Sequence, residues 1–160
     1  EFSEIPLYLI GSGQASDGAL PDRDSLAYIP AAEEAGKQAY AMAGLTPEDI
    51  DFAEVHDCFT IAEIMAIEDL GFFPRGEGWQ AEIDGKTARD GERPINTSGG
   101  LKSKGHPVGA SGIGQVNEIW KQLRGIAGER QLEGSPRFGL THNVGGSGQT
   151  CVVNIFERRD

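Results

Sequence analysis

Glycine residues cluster at the ends of short apolar runs, and this pattern constrains the fold more than any other feature of the sequence. The chain has 23 glycines, about twice the usual share of roughly 7%. The clusters lie within 11–13, 99–114 and 145–148, and the residues between the glycines vary without a repeat. Because glycine allows turns that other residues disfavour, the pattern predicts short buried elements joined by tight loops.

Strand-like apolar runs alternate with helical patterns along the chain. The runs cover residues 5–10, 52–55, 138–140 and 151–156. Small apolar residues recur at helical spacing from Pro30 until Gly44, and a second helix is expected from Thr60, with Glu63 completing a capping box. A third helical pattern is formed by Ile113, Val116, Ile119, Trp120 and Leu123. Residues 71–94 are predicted to form a surface loop or a small hairpin.

This order of elements predicts an α/β layer fold with a mostly parallel sheet. Only a glycine-rich turn separates the last two runs, so these should form an antiparallel hairpin. The length of 160 residues predicts one domain, residues 1–160. Gly11 and Gly13 begin like a dinucleotide-binding motif, but Ser16 stands where the third glycine is required. These glycines are therefore interpreted as the turn that ends the first strand.

Charge and cysteine content exclude several classes of function. The net charge of −11 argues against nucleic acid or an anionic membrane as a partner, because both require a basic surface. Cys58 and Cys151 are the only cysteines, and neither has the spacing of a metal ligand or of a disulfide framework. A reducing, cytoplasmic setting is therefore expected. No apolar run approaches the roughly 18 residues of a membrane-spanning helix.

Three motifs follow strand-like runs, and the residues alone leave their meaning open. His56-Asp57-Cys58-Phe59 places an imidazole and a thiol near a helix start, where they could transfer protons, or where Cys58 could simply pack. Gly105-His106-Pro107 lies in a glycine-rich loop that could hold the imidazole in place. Residues 142–148 could present backbone N–H groups to an anion or form an ordinary hairpin loop. Cys151 lies in an apolar run and is expected to be a packing residue.

Taken in this order, the motifs closely resemble the C-terminal half of the thiolase family, in particular the sterol-carrier-protein-type thiolases. The resemblance extends over essentially the whole chain and includes residues 42–45 and 96–101. It implies a three-layer α/β/α half of the thiolase fold, with a mixed sheet of about five strands ending in the antiparallel hairpin. It also implies acyl transfer between coenzyme A thioesters by Claisen chemistry, through an acyl-cysteine intermediate.

The resemblance assigns roles to four residues. His106 would activate the nucleophilic cysteine and donate a hydrogen bond to a thioester oxygen, and His56 would donate to the same oxygen. Cys58 would be the acid/base at the α-carbon. The backbone N–H of Gly145 would contribute to a second oxyanion site. The substrate would be a coenzyme A thioester, with no tightly bound cofactor.

The sequence departs from the family pattern at two points. Asn143 stands where other thiolases carry a second catalytic cysteine, so that role would fall to Cys58. The nucleophilic cysteine belongs to the N-terminal half of the family fold and has no counterpart in this sequence. The chain is therefore expected to be an excised domain, a proteolytic product or one subunit of a split enzyme, and to be inactive alone.

The resemblance also implies partners. Relatives form homodimers or tetramers, and some associate with small OB-fold proteins. The sequence leaves two alternatives to thiolase activity: a thiolase-like retro-aldolase acting on a hydroxyacyl-CoA, and a non-catalytic lipid-transfer or scaffold subunit.

Overall fold

The computed structural model describes residues 6–159, so the start of the expected first strand, at Ile5, lies outside the described residues. This part of the chain forms four strands and five α-helices, with four of the helices in succession between the second and third strands. The strands are β1 (Leu7–Ser16), β2 (Phe52–Glu54), β3 (Phe138–Gly145) and β4 (Thr150–Arg158). The helices are α1 (Pro30–Ala43), α2 (Thr60–Asp69), α3 (Gly78–Ile83), α4 (Gly100–Lys104) and α5 (Ser111–Leu123). Short 3₁₀ turns cover Leu20–Asp22, Pro47–Asp49 and Gly128–Arg130.

The strands form one mixed sheet in the order β1-β4-β3-β2. The β2–β3 pair is parallel, whereas β3–β4 and β1–β4 are antiparallel. The mixed sheet and the closing hairpin are confirmed, but the expectation of a mostly parallel sheet is wrong. The described residues form four strands rather than about five; at the place of a fifth, beside β2, Ile95 makes one isolated parallel bridge to Ala53.

Helices cover both faces of the sheet, which confirms the three-layer α/β/α arrangement. On one face, α1 and α2 pack against apolar side chains of β3 and β4 in the larger buried cluster. On the other face, Ile119 and Leu123 of α5 pack against Phe52 in a smaller cluster. Among the described residues, no helix is long and apolar enough to span a membrane.

Gly11 and Gly13 do not end the first strand, as predicted, but lie inside β1 and bring it against α1. A Cβ on Gly13 would lie 2.0 Å from the carbonyl oxygen of Ala35, and a Cβ on Gly11 would lie 2.4 Å from that of Ala39. The facing side of α1 is lined by alanines that are fully buried. The helix therefore approaches the strand closely because neither surface carries a large side chain.

Two local predictions are also wrong. Phe59, not Thr60, is the N-cap of α2, and the Glu63 side chain accepts a 2.8 Å hydrogen bond from Asn96 Nδ2 instead of closing a capping box. Residues 71–94 contain the short helix α3 and two buried aromatic residues, Phe72 and Phe73, so this segment is not merely a surface excursion.

The apolar pattern of α5 is confirmed as a helix but not as a single buried face. Ile119 and Leu123 are buried, whereas Ile113 is 72% exposed and Trp120 is 38% exposed. The buried side also carries polar side chains: Ser111, Gln115, Glu118 and Gln122. An apolar stripe on α5 is thus left uncovered by the described residues of this chain.

Candidate active site

The segment His56-Asp57-Cys58-Phe59 lies between β2 and α2, as the sequence predicts. His56 is 6% exposed and Asp57 is 2% exposed, while Cys58 is partly exposed. β2 is the edge strand of the sheet and lies parallel to β3, and these residues follow its carboxyl end. Clefts in α/β folds commonly lie beyond the carboxyl ends of the strands. The strand therefore holds His56 rigidly and leaves the thiol accessible.

The second histidine of the site is held by a serine on the following helix. His106 Nδ1 lies 2.7 Å from Ser111 Oγ, and Ser111 Oγ donates to the carbonyl oxygen of Pro107 at 3.1 Å. Because Ser111 Oγ donates its only hydrogen to the carbonyl oxygen of Pro107, it must act as an acceptor toward His106, whose Nδ1 therefore carries a hydrogen. In the neutral ring, Nε2 of His106 then carries the free lone pair and is available as a base.

The imidazoles of His56 and His106 meet edge to face. Their centroids lie 4.9 Å apart and their planes are inclined by 85°. Burial lowers the pKa of His56, and the charge of His106 lowers it further, while Asp57 acts in the opposite sense. His56 is therefore held neutral at pH 7, in the form that can donate one N–H to an oxygen without bringing a positive charge.

Two buried carboxylates attach the histidine loop to β2, and sequence reasoning missed both. Asp57 accepts hydrogen bonds from the backbone N–H groups of Leu101 (2.7 Å) and Lys102 (3.3 Å) in α4. Glu54 is fully buried and pairs with Lys104 Nζ at 3.2 Å. Burial raises the pKa of Glu54, and the nearby Lys104 opposes that rise. The available signal was a glutamate inside an apolar run, which needs a buried partner.

A cavity of about 290 Å³ opens beside the His56 segment. Its polar wall includes His56, Cys58 and His142. Its apolar wall is formed by Leu20, Leu26, Ile29, Ile61, Met65 and Val144, among others. A few polar groups on an otherwise apolar wall are typical of a small-molecule site.

The other two residues of the sequence-predicted site lie outside this cavity lining. His106 is exposed and reaches the site through its ring contact with His56. Gly145 is exposed at the end of β3, where it pairs with Thr150, and its neighbours Val144 and Gly146 line the cavity. The structure thus places His56 against His106 and on one cavity wall with Cys58, and it places Gly145 between two residues that line the cavity.

The two cysteines differ in their surroundings. Cys151 is fully buried in β4, and burial raises the pKa of its thiol to about 12, with Asp69 contributing. The prediction that Cys151 is a packing residue is therefore confirmed. Within residues 6–159, no three His, Cys, Asp or Glu side chains form a group that could hold a metal ion.

Comparisons with known proteins identify relatives over nearly the whole chain. Residues 13–158 match the family described as Thiolase C-terminal domain-like. The acetyl-CoA acetyltransferase of Methanothermobacter thermautotrophicus is 53% identical over 159 residues, covering 99% of this chain and 41% of that protein. Sterol carrier protein 2 of Homo sapiens is 46% identical over 125 residues, covering 78% of this chain and 22% of that protein.

A solved structure is also similar. The structure titled Ltp2-ChsH2(DUF35) aldolase matches 96% of this chain and 40% of that chain, with a TM-score of 0.85 and 28% sequence identity. The chain spans about two fifths of the length of that structure and of the archaeal relative, and a smaller share of the human one.

Proposed function

The chain belongs to the thiolase family, as a thiolase C-terminal domain, and on this premise we propose that it supplies the acid/base and oxyanion-binding groups of an acyl-CoA acyltransferase. The reaction is the thiolysis of a 3-ketoacyl-CoA or its reverse, a Claisen condensation. The observation that carries the proposal is the edge-to-face contact of His56 with His106, beside the cavity that His56 and Cys58 line. A coenzyme A thioester is the substrate, and no tightly bound cofactor takes part.

His106 is the base that activates the nucleophile. Its Nδ1–H donates a hydrogen bond to Ser111 Oγ, so the unprotonated Nε2 can accept the proton of a cysteine thiol. The resulting thiolate attacks the 3-keto carbon, and the carbonyl oxygen becomes negatively charged in a tetrahedral intermediate. In this proposal the backbone N–H of Gly145 stabilises that oxygen, because preorganised backbone donors act where charge develops.

The carbon–carbon bond then breaks, and its electron pair moves into the departing acyl-CoA as an enolate. His56 donates a hydrogen bond to the enolate oxygen, and the protonated His106 donates a second one. Cys58 delivers its proton to the α-carbon and is left as a thiolate, which takes a proton from the incoming coenzyme A. The coenzyme A thiolate finally attacks the acyl-cysteine and releases the shortened acyl-CoA, and the departing cysteine thiolate takes its proton back from His106.

The proposal requires a second protein half that carries the nucleophilic cysteine. Two observations support it: the archaeal relative is longer than this chain, and α5 presents the exposed apolar residues Ile113 and Trp120. A helix with exposed apolar side chains favours burial against another layer of structure. We propose that the N-terminal half of the enzyme covers this stripe.

Mass spectrometry of the assembled enzyme tests the proposal. Mixing the enzyme with acetoacetyl-CoA should add one acetyl group to a cysteine outside residues 1–160, and coenzyme A should then remove it as acetyl-CoA. An enzyme that forms no acyl-cysteine while remaining folded and binding acetoacetyl-CoA would rule out acyl transfer.

A retro-aldolase is the second candidate, and the similarity to the Ltp2-ChsH2(DUF35) aldolase favours it. The same His56, His106 and Cys58 would then stabilise the enolate released when a 3-hydroxyacyl-CoA splits into an aldehyde or ketone and a shorter acyl-CoA. This reaction needs a base but no acyl-cysteine. Formation of a carbonyl product from a 3-hydroxyacyl-CoA, without an acyl-enzyme, would favour it over thiolysis.

Assembly and cellular setting form a further part of the proposal. The name of the similar aldolase structure joins two components, Ltp2 and ChsH2(DUF35). We propose that this chain functions in a homodimer or tetramer built through the thiolase fold, with a small OB-fold protein as an additional partner. Both cysteines are free thiols, which supports a reducing, cytoplasmic setting.

A further inference from the structure

His142 lines the same cavity as Cys58 but has no part in the mechanism above. Its side chain is 1% exposed, and its Nδ1 lies 3.4 Å from the backbone nitrogen of His56. Across the ring, Nε2 is buried, and it has no hydrogen-bond partner among the residues that the structure describes. Almost all buried polar groups in proteins are paired, so this atom requires an explanation.

The contact with His56 decides which ring nitrogen of His142 carries the proton. A backbone N–H can only donate, so Nδ1 must offer its lone pair and the hydrogen of the neutral ring lies on Nε2. Burial lowers the pKa of His142 to about 3, with the neighbouring His56 acting in the same direction, so the ring stays neutral. Nε2–H is therefore a buried donor without an acceptor, in a residue that lines a cavity.

The backbone around His142 is held firmly in place. Gln115 Nε2 donates to the carbonyl oxygen of His142 at 2.9 Å, and Asn143 Nδ2 donates to Gln115 Oε1 at 3.2 Å. The backbone of His142 is thus fixed within β3 by α5, and the backbone N–H of His56 orients the ring. A donor fixed in advance binds an acceptor at a low cost in conformational entropy.

We propose that His142 Nε2–H is a substrate-binding donor for the oxygen on carbon 3 of the acyl chain that occupies this cavity. The apolar wall, including Leu26, Ile61 and Met65, suits a hydrocarbon chain, and the unpaired N–H supplies one acceptor-specific contact. The inference rests on the proposed acyl-CoA substrate. It deepens that proposal, because the donor would favour acyl chains that bear an oxygen on carbon 3. Thiolysis requires a 3-oxo group there, and the retro-aldol reaction requires a 3-hydroxy group.

Two variants separate the donor from the rest of the ring. In His142→Asn, Oδ1 can still accept the N–H of His56, but nothing reaches the position of Nε2. In His142→Gln, the longer side chain returns an N–H donor near that position. Thermal melting of both variants establishes that each is folded.

The ligands are matched in length: acetoacetyl-CoA carries the 3-oxo oxygen, and butyryl-CoA lacks it. Equilibrium binding is measured by calorimetry in the assembled enzyme, in a Cys58→Ser background that removes the proposed proton donor and keeps acetoacetyl-CoA intact. His142→Asn should weaken acetoacetyl-CoA binding about tenfold and leave butyryl-CoA binding within about twofold, the scale of one hydrogen bond. His142→Gln should recover most of the loss.

Equal weakening of both ligands by His142→Asn would show that His142 only shapes the cavity, and unchanged binding of both would show that its donor is unused. Either result overturns the inference. Another outcome is that His142→Asn discriminates the two ligands as expected while the enzyme with Cys58 unchanged shows neither acyl transfer nor aldol cleavage. In that case the proposed function fails and the role of His142 stands. If the assembled enzyme binds neither thioester, both fail together.

Discussion

The carboxylate of Asp57 accepts a 2.7 Å hydrogen bond from the backbone N–H of Leu101, 44 positions further along the chain. Asp57 also requires glycine at position 100, because a Cβ there would lie 2.1 Å from its Oδ2. Since α4 leads directly into the His106 loop, this contact holds the start of that loop beside the His56 segment, while Ser111 holds the His106 ring itself. The aspartate is a positioning residue: it holds one imidazole beside the other.

Replacing Asp57 should therefore destabilise the protein more than removing an exposed cap. We expect Asp57→Ala to lower the free energy of unfolding by about 2–3 kcal/mol, because it leaves backbone donors of α4 without a charged acceptor. Asp49 also accepts a backbone hydrogen bond, from Thr46, but it is exposed, so Asp49→Ala should cost about 1 kcal/mol or less. Urea denaturation compares the two. Equal losses would mean that Asp57 is no stronger an anchor than a surface cap.

The close approach of β1 to α1 makes Gly13 irreplaceable. A methyl group at this position would overlap the backbone of Ala35, which cannot move aside without shifting the helix. Gly13→Ala should therefore lower the free energy of unfolding by about 3 kcal/mol. Gly114, inside α5, has open space around the position of a Cβ, so Gly114→Ala should be neutral or stabilise by up to about 1 kcal/mol. A Gly13→Ala variant as stable as Gly114→Ala would contradict the packing described here.

Glu63 should make stability depend on pH near neutrality. Burial raises the pKa of Glu63 to about 7, with Glu82 contributing, although the hydrogen bond from Asn96 opposes the rise. The folded state therefore favours the protonated acid. This contribution to stability is complete below the ordinary pKa of 4.5 and is lost as the pH rises through 7.

Glu63→Gln stays neutral at every pH and should remove this loss. Relative to the unmodified protein, the variant should gain about 2 kcal/mol in unfolding free energy between pH 5 and pH 8. Denaturation at a series of pH values measures the difference. Glu77 is exposed, so Glu77→Gln serves as the control. The difference in unfolding free energy between Glu77→Gln and the unmodified protein should stay constant from pH 5 to pH 8. A Glu63→Gln difference that is equally flat would show that the carboxyl group is not desolvated.

The two thiols should differ in reactivity. Cys58 is partly exposed and lines the cavity, whereas Cys151 is fully buried with a thiol pKa of about 12. Iodoacetamide at pH 8, followed by mass spectrometry, should label Cys58 and leave Cys151 unmodified until denaturant is added. Equal protection of both thiols would mean that Cys58 is closed off and that its proposed role is wrong.

The sequence predicted the elements with strong local patterns. The helix from Pro30 is stopped by Gly44, whose φ of 69° is one that glycine adopts readily. The placement of His56 between strand and helix also follows from an apolar run and its end. The resemblance of three ordered motifs also predicts that His56, Cys58 and His106 belong to one site.

Features that depend on distant contacts were not predictable. Gly11 and Gly13 look like turn residues, because nothing near them in sequence reveals that α1 packs there. Glu63 has the spacing of a capping box, but Asn96, far along the chain, binds it instead. The anchoring carboxylates Glu54 and Asp57 were missed for the same reason: their partners lie on α4 and its flanks.

Exchange of the α-protons of acetyl-CoA into D₂O tests the central claim most directly. This partial reaction needs only a base and enolate-stabilising donors, which the proposal assigns to Cys58, His56 and His106 of this chain. In the assembled enzyme, proton NMR should show loss of the acetyl methyl signal with the unmodified protein and with Cys151→Ser, and a rate at least about 100-fold lower with Cys58→Ser. Exchange at an unchanged rate in Cys58→Ser would contradict the assignment of this thiol as the acid/base.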